Sequence, residues 1–200
     1  HMQDGPGWGD GTDATGILKA MADDLTSCNN DPAMTATVCR EMEMVGGVTL
    51  LCRFLTSAVT AATLGGAAAE GVQVQACRAL ANCLELRKTQ PAWEECGRAL
   101  RSSSSVALLV QLLGSDRSQI QLNAARTLNH ACFNDLTTQN TLRDAGGISA
   151  LSSVLSPQAQ GLAMQVDEGL QEWAVLLALQ VQKDNIANRR AVGEAGPPGL

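Results

Sequence analysis

Two hundred residues with 45% hydrophobic content can bury a sizeable core, and length alone allows one domain or two. A net charge of −6 makes the chain as a whole a poor binder of nucleic acid, and no run of eighteen apolar residues is present to span a membrane. Only 2% of the residues are aromatic and none is Tyr, so the core must be built from Ala, Leu and other small side chains, which lets helices stack closely.

From the N-terminus, His1-Met2 reads as an expression-tag remnant, and no signal peptide is visible. Residues 1–13 form a Gly-rich, flexible lead-in. Its Asp4, Asp10 and Asp13 lack the order and closing Glu of a calcium loop. Asp13 or Thr15 is suited to cap the helix that follows. Residues 16–25 read as that helix, with Ile17, Met21 and Leu25 on its apolar stripe. A short helix is expected over 34–44, and the two together read as an incomplete repeat covering 14–45.

The first full unit, about 46–103, opens at Gly46-Gly47 and continues with Val48, Leu51, Phe54 and Leu55. Residues 56–71, rich in Ala, Thr and Gly, read as a disordered insertion where a tight turn would suffice. A long helix follows over 72–86, then a short one over 91–101 with Pro91 in its first turn and Trp93 as a packing residue. Ser102 to Ser105 stand where a glycine stop would end the unit. They read as a solvated linker, with a phosphorylation site as the rival reading.

The central unit, 104–145, is the clearest. Val106, Leu109, Leu112 and Leu113 have helical spacing, and Gly114 to Ser118 make a polar turn. A helix over 119–133 carries Leu122, Ala125, Leu128 and Cys132 on one stripe. A short helix over 138–143 ends at Asp144-Ala-Gly-Gly147, where glycine can take the left-handed conformation. The third full unit, 146–195, opens with Ile148, Leu151, Val154 and Leu155. A second insertion covers 156–167, followed by helices over 168–183 and 186–192. Residues 197–200 begin where a next unit should start, so the chain is expected to be a fragment of a longer protein or to end in a degenerate repeat.

One apolar template thus occurs three times, after Gly46-Gly47, Ser104-Ser105 and Gly146-Gly147. An acidic-x-Gly stop recurs at Glu43 to Gly46, Asp144 to Gly146 and Glu194 to Gly196. The long helices open alike: Val72-Gln73 with Ala76, Ile120-Gln121 with Ala124, Leu170-Gln171 with Ala174. Units of about forty residues indicate a solenoid in which each repeat buries its apolar face on its neighbours. In these features the chain resembles the armadillo repeat family over residues 14–196. The resemblance implies an all-α fold, a right-handed superhelix of three-helix repeats.

The resemblance also implies that the third helix of each repeat lines a concave groove, where the family places a Trp and, four residues later, an Asn that bonds an extended peptide. The matching pairs here are Arg78 and Asn82, Arg126 and His130, and Leu176 and Gln180. Three residues before each pair stand Gln75, Asn123 and Trp173, on the same helix face. Every Trp of the pattern is replaced and one Asn is retained, which argues against the ladder that nuclear-import adaptors use for basic peptides. Arg78 and Arg126 point instead to an acidic or phosphorylated segment, since Arg pairs bidentately with carboxylate and phosphate. The opposing reading is that both pair with acidic neighbours such as Glu85. Trp173 is open between a groove anchor and ordinary packing.

Seven cysteines at scattered positions, with no CxxC pair and no zinc spacing, fit a reducing cytoplasm or nucleus. Cys52, Cys83 and Cys132 fall on apolar stripes and read as core residues. His130 has no His, Cys or Asp constellation in the sequence, and no Walker or GxGxxG loop is present. The expectation is therefore a non-enzymatic interaction scaffold with no metal and no cofactor. Two rival readings are a regulator clamping a small GTPase or chaperone, and a cytoskeletal or ciliary assembly component that self-associates through uncapped repeat ends.

Overall fold

The computed structural model describes residues 12–28, 31–63, 69–87, 94–156 and 167–195. These residues form eleven helices and no strand. They are α1 (Thr12–Cys28), α2 (Pro32–Met44), α3 (Gly47–Thr63), α4 (Ala69–Arg87), α5 (Glu94–Ser102), α6 (Ser105–Leu113), α7 (Ser118–Ala131), α8 (Leu136–Asp144), α9 (Gly147–Leu155), α10 (Glu168–Gln182) and α11 (Ile186–Ala195).

The helices fall into rows. The long helices α1, α4, α7 and α10 pack successively side by side, and so do α3, α6 and α9. Short helix α8 touches both α5 and α11. The core runs unbroken between the rows and contains Leu55, Leu80, Leu84, Leu109, Leu113, Leu128 and Leu177. Small residues (Ala76, Ala79, Ala124, Ala125, Ala174) line the long-helix row, which lets those backbones approach closely.

Local chemistry sets the ends of the helices. Asp31 precedes α2 in extended backbone, and its carboxylate accepts from the N–H groups of Ala33 and Met34, with Pro32 in the first turn. Asp135 and Asp167 cap α8 and α10 in the same way. Each unit turns its corner on a left-handed residue: Gly46 at φ 64°, Ser104 at φ 57° and Gly146 at φ 83°. The following glycine is needed for a different reason. A Cβ on Gly147 would meet Leu142 Cγ at 2.6 Å and its carbonyl oxygen at 2.8 Å, and one on Gly47 would meet Met42 Sδ at 2.7 Å.

The structure corrects several sequence expectations. Residues 56–63 are not an insertion, because α3 continues through them. Ala58 and Val59 extend its buried stripe, and the Thr56 and Thr60 hydroxyls bond the carbonyls one turn back, at 2.9 and 3.0 Å. Helix α4 then starts at Ala69, so only 64–68 of that stretch lie outside the described residues. Helix α1 starts at Thr12, which places Asp13 and Thr15 inside it rather than at its cap. Ser102 to Ser105 are not a solvated linker. Ser102 ends α5, Ser104 makes the corner, and Ser105 is buried with its hydroxyl 2.8 Å from that of Ser103. The lead-in over 1–11, Trp93, 157–166 of the second insertion and 196–200 lie outside the described residues.

Candidate functional site

The nine residues predicted to line a groove sit on α4, α7 and α10, three to each helix, along the long-helix row. Their side chains divide into two groups. Those that lean toward the preceding helix are buried, and those beside them reach the surface.

Asn82 belongs to the first group. It is fully buried, and its Nδ2 donates to the Ala22 carbonyl at 2.7 Å and to the Thr26 hydroxyl at 2.8 Å, both on α1. The family pattern implied an Asn open to a peptide; here its donor is spent inside the stack. His130 is 1% exposed and packs edge-on against Trp173, ring centroids 5.3 Å apart. Asn123 is buried and donates to the Gln119 carbonyl of its own helix at 2.8 Å. Gln180 is half-buried, and its Nε2 donates to the Cys132 carbonyl at 3.3 Å, joining α10 to the end of α7.

Arg78, Arg126, Trp173 and Leu176 are the ones that reach the surface. Arg78 pairs with Asp23 of α1 at 2.5 Å, and Arg126 pairs with Glu85 of α4 at 2.9 Å. The acidic-neighbour alternative is therefore what the free chain shows at both arginines. The Arg126 guanidinium also lies 5.7 Å from the centre of the Trp173 ring, so Trp173 stands half-buried between a cation and His130. Leu176, one turn along α10, is 39% exposed. Gln75 is half-buried on α4, and its Oε1 has no hydrogen-bond partner among the described residues.

These contacts share one register. Asp23 to Arg78 and Glu85 to Arg126 are the same pair at successive junctions of the row, and Asn82 to Ala22 matches Gln180 to Cys132. In that register the positions of the acid and the arginine are held at the third junction by Phe133 and Leu176. Lys183, next to it, holds its ammonium 5.5 Å from the Phe133 ring centre. The α7–α10 end of the row thus combines two cations, two aromatic rings and an exposed leucine. Sequence reasoning identified Arg126, Trp173 and Leu176 but missed Phe133, Lys183 and the acidic partner of Arg78. The repeat of the long-helix template was the signal that could have found them, because it sets the helix-to-helix register.

All seven cysteines are buried, and none is in a disulfide. Burial pushes the Cys77 thiol up to about 12 and that of Cys39 up to about 11, the latter helped by Cys28. The Cys83 thiol is raised well above its ordinary value by burial, with Cys96, Cys39 and Cys52 nearby adding to it. Neutral thiols of this kind are core residues with little nucleophilicity. Among the described residues, no three His, Cys, Asp or Glu side chains stand where they could share a metal ion. No single described helix is long and apolar enough to cross a membrane; α2 and α3 would pass such a test only as a pair bent by 66°.

No protein-family model matches the chain, and no curated protein matches it. Solved structures do. One engineered protein from the Northeast Structural Genomics Consortium superposes with a TM-score of 0.69 over 92% of this chain at 22% identity, and a second with 0.62 over 90%, also at 22%. The chain spans 63% of the length of the first and 41% of the second. At that identity the likeness concerns the helical fold alone.

Proposed function

We propose that this chain is a non-enzymatic interaction scaffold, an armadillo-type right-handed solenoid that takes an extended acidic or phosphorylated segment of a partner protein across its long-helix face. The observation that carries this reading is the grouping of Arg126, Trp173 and Leu176 at the α7–α10 end, where a cation, a half-buried Trp and an exposed Leu share one surface. Trp and Arg are the side chains most often found at energetic centres of interfaces.

The pairing of Arg126 with Glu85 does not block this role. Both side chains are partly exposed, at 22% and 36%, and such a pair contributes only about 0.2–1 kcal/mol. A carboxylate or phosphate that engages the guanidinium bidentately would replace the single Arg126–Glu85 contact with two, so a ligand can displace Glu85. The anchor of this reading is Arg126, whose guanidinium lies over the Trp173 ring.

Fluorescence anisotropy with labelled extended peptides, acidic and phosphorylated, tests the proposal. The wild type is expected to bind with an affinity that falls as salt rises. Arg126→Gln should weaken binding about tenfold, the equivalent of about 1.4 kcal/mol, and Leu176→Glu should weaken it through both packing and charge. Absence of binding, or binding that neither substitution changes, would remove the long-helix face from the account.

A further inference from the structure

The seam between α7 and α10 has a cation over an aromatic ring at each end. At one end the Arg126 guanidinium of α7 lies 5.7 Å from the centre of the Trp173 ring of α10. At the other the Lys183 ammonium, just past α10, lies 5.5 Å from the centre of the Phe133 ring, just past α7. The two helices run parallel along the seam. Arg126 and His130 meet Trp173, the Cys132 carbonyl meets Gln180, and Asn134 meets Lys183. Trp173, Leu176, Gln180 and Lys183 are spaced by three and four, which keeps them on one face of α10.

Between its two cations the seam is apolar at the surface. Leu176 is exposed there, whereas the Gln180 amide is turned into the stack by its bond to the Cys132 carbonyl at 3.3 Å. Lys183 donates to Asn134 Oδ1 at 3.1 Å. Asn134 carries no charge, so this bond positions the ammonium without neutralising it. Trp173 and Lys183 are ten residues apart, which is about 15 Å along a helix. In an extended segment, residues four apart lie about 13 Å apart on one face, and the residue midway shares that face. The neighbouring α4–α7 seam differs. In the shared register Glu85 holds there the position that Phe133 holds here, and Asn123 holds that of Trp173. A second acid of a bound segment would meet a carboxylate in that seam.

Resting on the acidic-segment reading above, we propose that the partner segment lies along the α7–α10 seam and is read at two points. It carries two acidic side chains four residues apart with an apolar one midway, of the form Glu-x-Leu-x-Glu. One carboxylate pairs with Arg126 and the other with Lys183, while the apolar side chain covers Leu176. The long side chains of Glu, Arg and Lys take up the small difference between the two spans. The pattern is symmetric, so a segment running in either direction satisfies it.

Fluorescence anisotropy tests this with labelled peptides of one length and one composition, two Glu and one Leu among serines, that differ only in order. Their net charge is the same, so a difference in affinity reports spacing. On the wild-type chain, the four-residue spacing with Leu midway is expected to bind about threefold or more tighter than spacings of two or three, or than the same acids with Leu at one end. Lys183→Gln should weaken that best peptide about threefold. One of its two single-acid versions, with the other Glu replaced by Gln, should bind this variant as it binds the wild type, which also gives the direction of the segment. Circular dichroism checks that the variant folds, and the spacing series needs no variant. Binding that requires Arg126 but is indifferent to the spacing of the acids and to Lys183 would overturn the two-point reading and leave the acidic-segment reading standing. Absence of binding by every peptide would overturn both.

Discussion

At the residue scale, the corners between units are where single side chains decide the most. Ser104 holds a left-handed backbone at φ 57° that costs a non-glycine residue about 1–2 kcal/mol. Ser104→Gly is expected to raise the stability of the chain by up to about 1 kcal/mol, net of the glycine's extra freedom when unfolded. Gly147→Ala should do the opposite, by about 1–3 kcal/mol, because its methyl would collide with Leu142. Urea unfolding of both variants measures the two signs together. The glycine pairs were legible in the sequence as corners; the template also aligned Ser104 with Gly46 and Gly146, but four consecutive serines read as a solvated linker because serine has no intrinsic preference for positive φ.

The buried thiols make a second prediction at this scale. Cys77 keeps its proton in the folded chain up to about 12, whereas an unhindered thiol loses it near 9.0. The folded state therefore holds a proton that the unfolded state gives up between those values. The stability it confers is whole below about pH 9 and is lost as pH rises toward about 12. Urea midpoints should be level on the neutral side and fall on the alkaline side, and Cys77→Ala should make that fall shallower.

At the scale of the element, the short helices are tied to their neighbours by buried amides rather than by apolar contact alone. Asn188 of α11 is fully buried. Its Nδ2 donates to the carbonyls of Gln139 and Val181 at 3.2 and 3.0 Å, and its Oδ1 accepts from Arg143 at 3.1 Å. Asn188→Ala leaves those partners unsatisfied and should cost about 2–4 kcal/mol, with the loss of hydrogen-exchange protection concentrated in α8, the end of α10 and α11. Sequence patterning located these helices, since their apolar spacing and their capping residues are local. It misread residues 56–63, where Ala58 and Val59 continue the buried stripe of Val48, Leu51 and Leu55 but stand among threonines that resemble a loop. The ties of Asn188 to Gln139 and Arg143 were not legible, because each joins residues more than forty positions apart in neighbouring units.

At the scale of the molecule, the register of the long-helix row gives the surface its character. Two junctions carry an acid and an arginine, and the third carries Phe133 and Leu176. The sequence placed Arg78, Arg126, Trp173 and Leu176 on the correct helices. It could not show that Asn82 and His130 turn inward, since that depends on how close the neighbouring helix lies. A backbone held close by small residues draws the side chains nearest it into the stack and leaves outside only those one step around the helix. The proposed partner segment is therefore expected at the α7–α10 end of the row rather than along its whole length.

Chemical-shift mapping with an acidic extended peptide tests that placement most directly. The amides of α7 and α10 and the indole resonance of Trp173 are expected to move together, saturate together and recover as salt is added. Shifts confined to α2 and α11, or a spectrum that the peptide leaves unchanged, would contradict it.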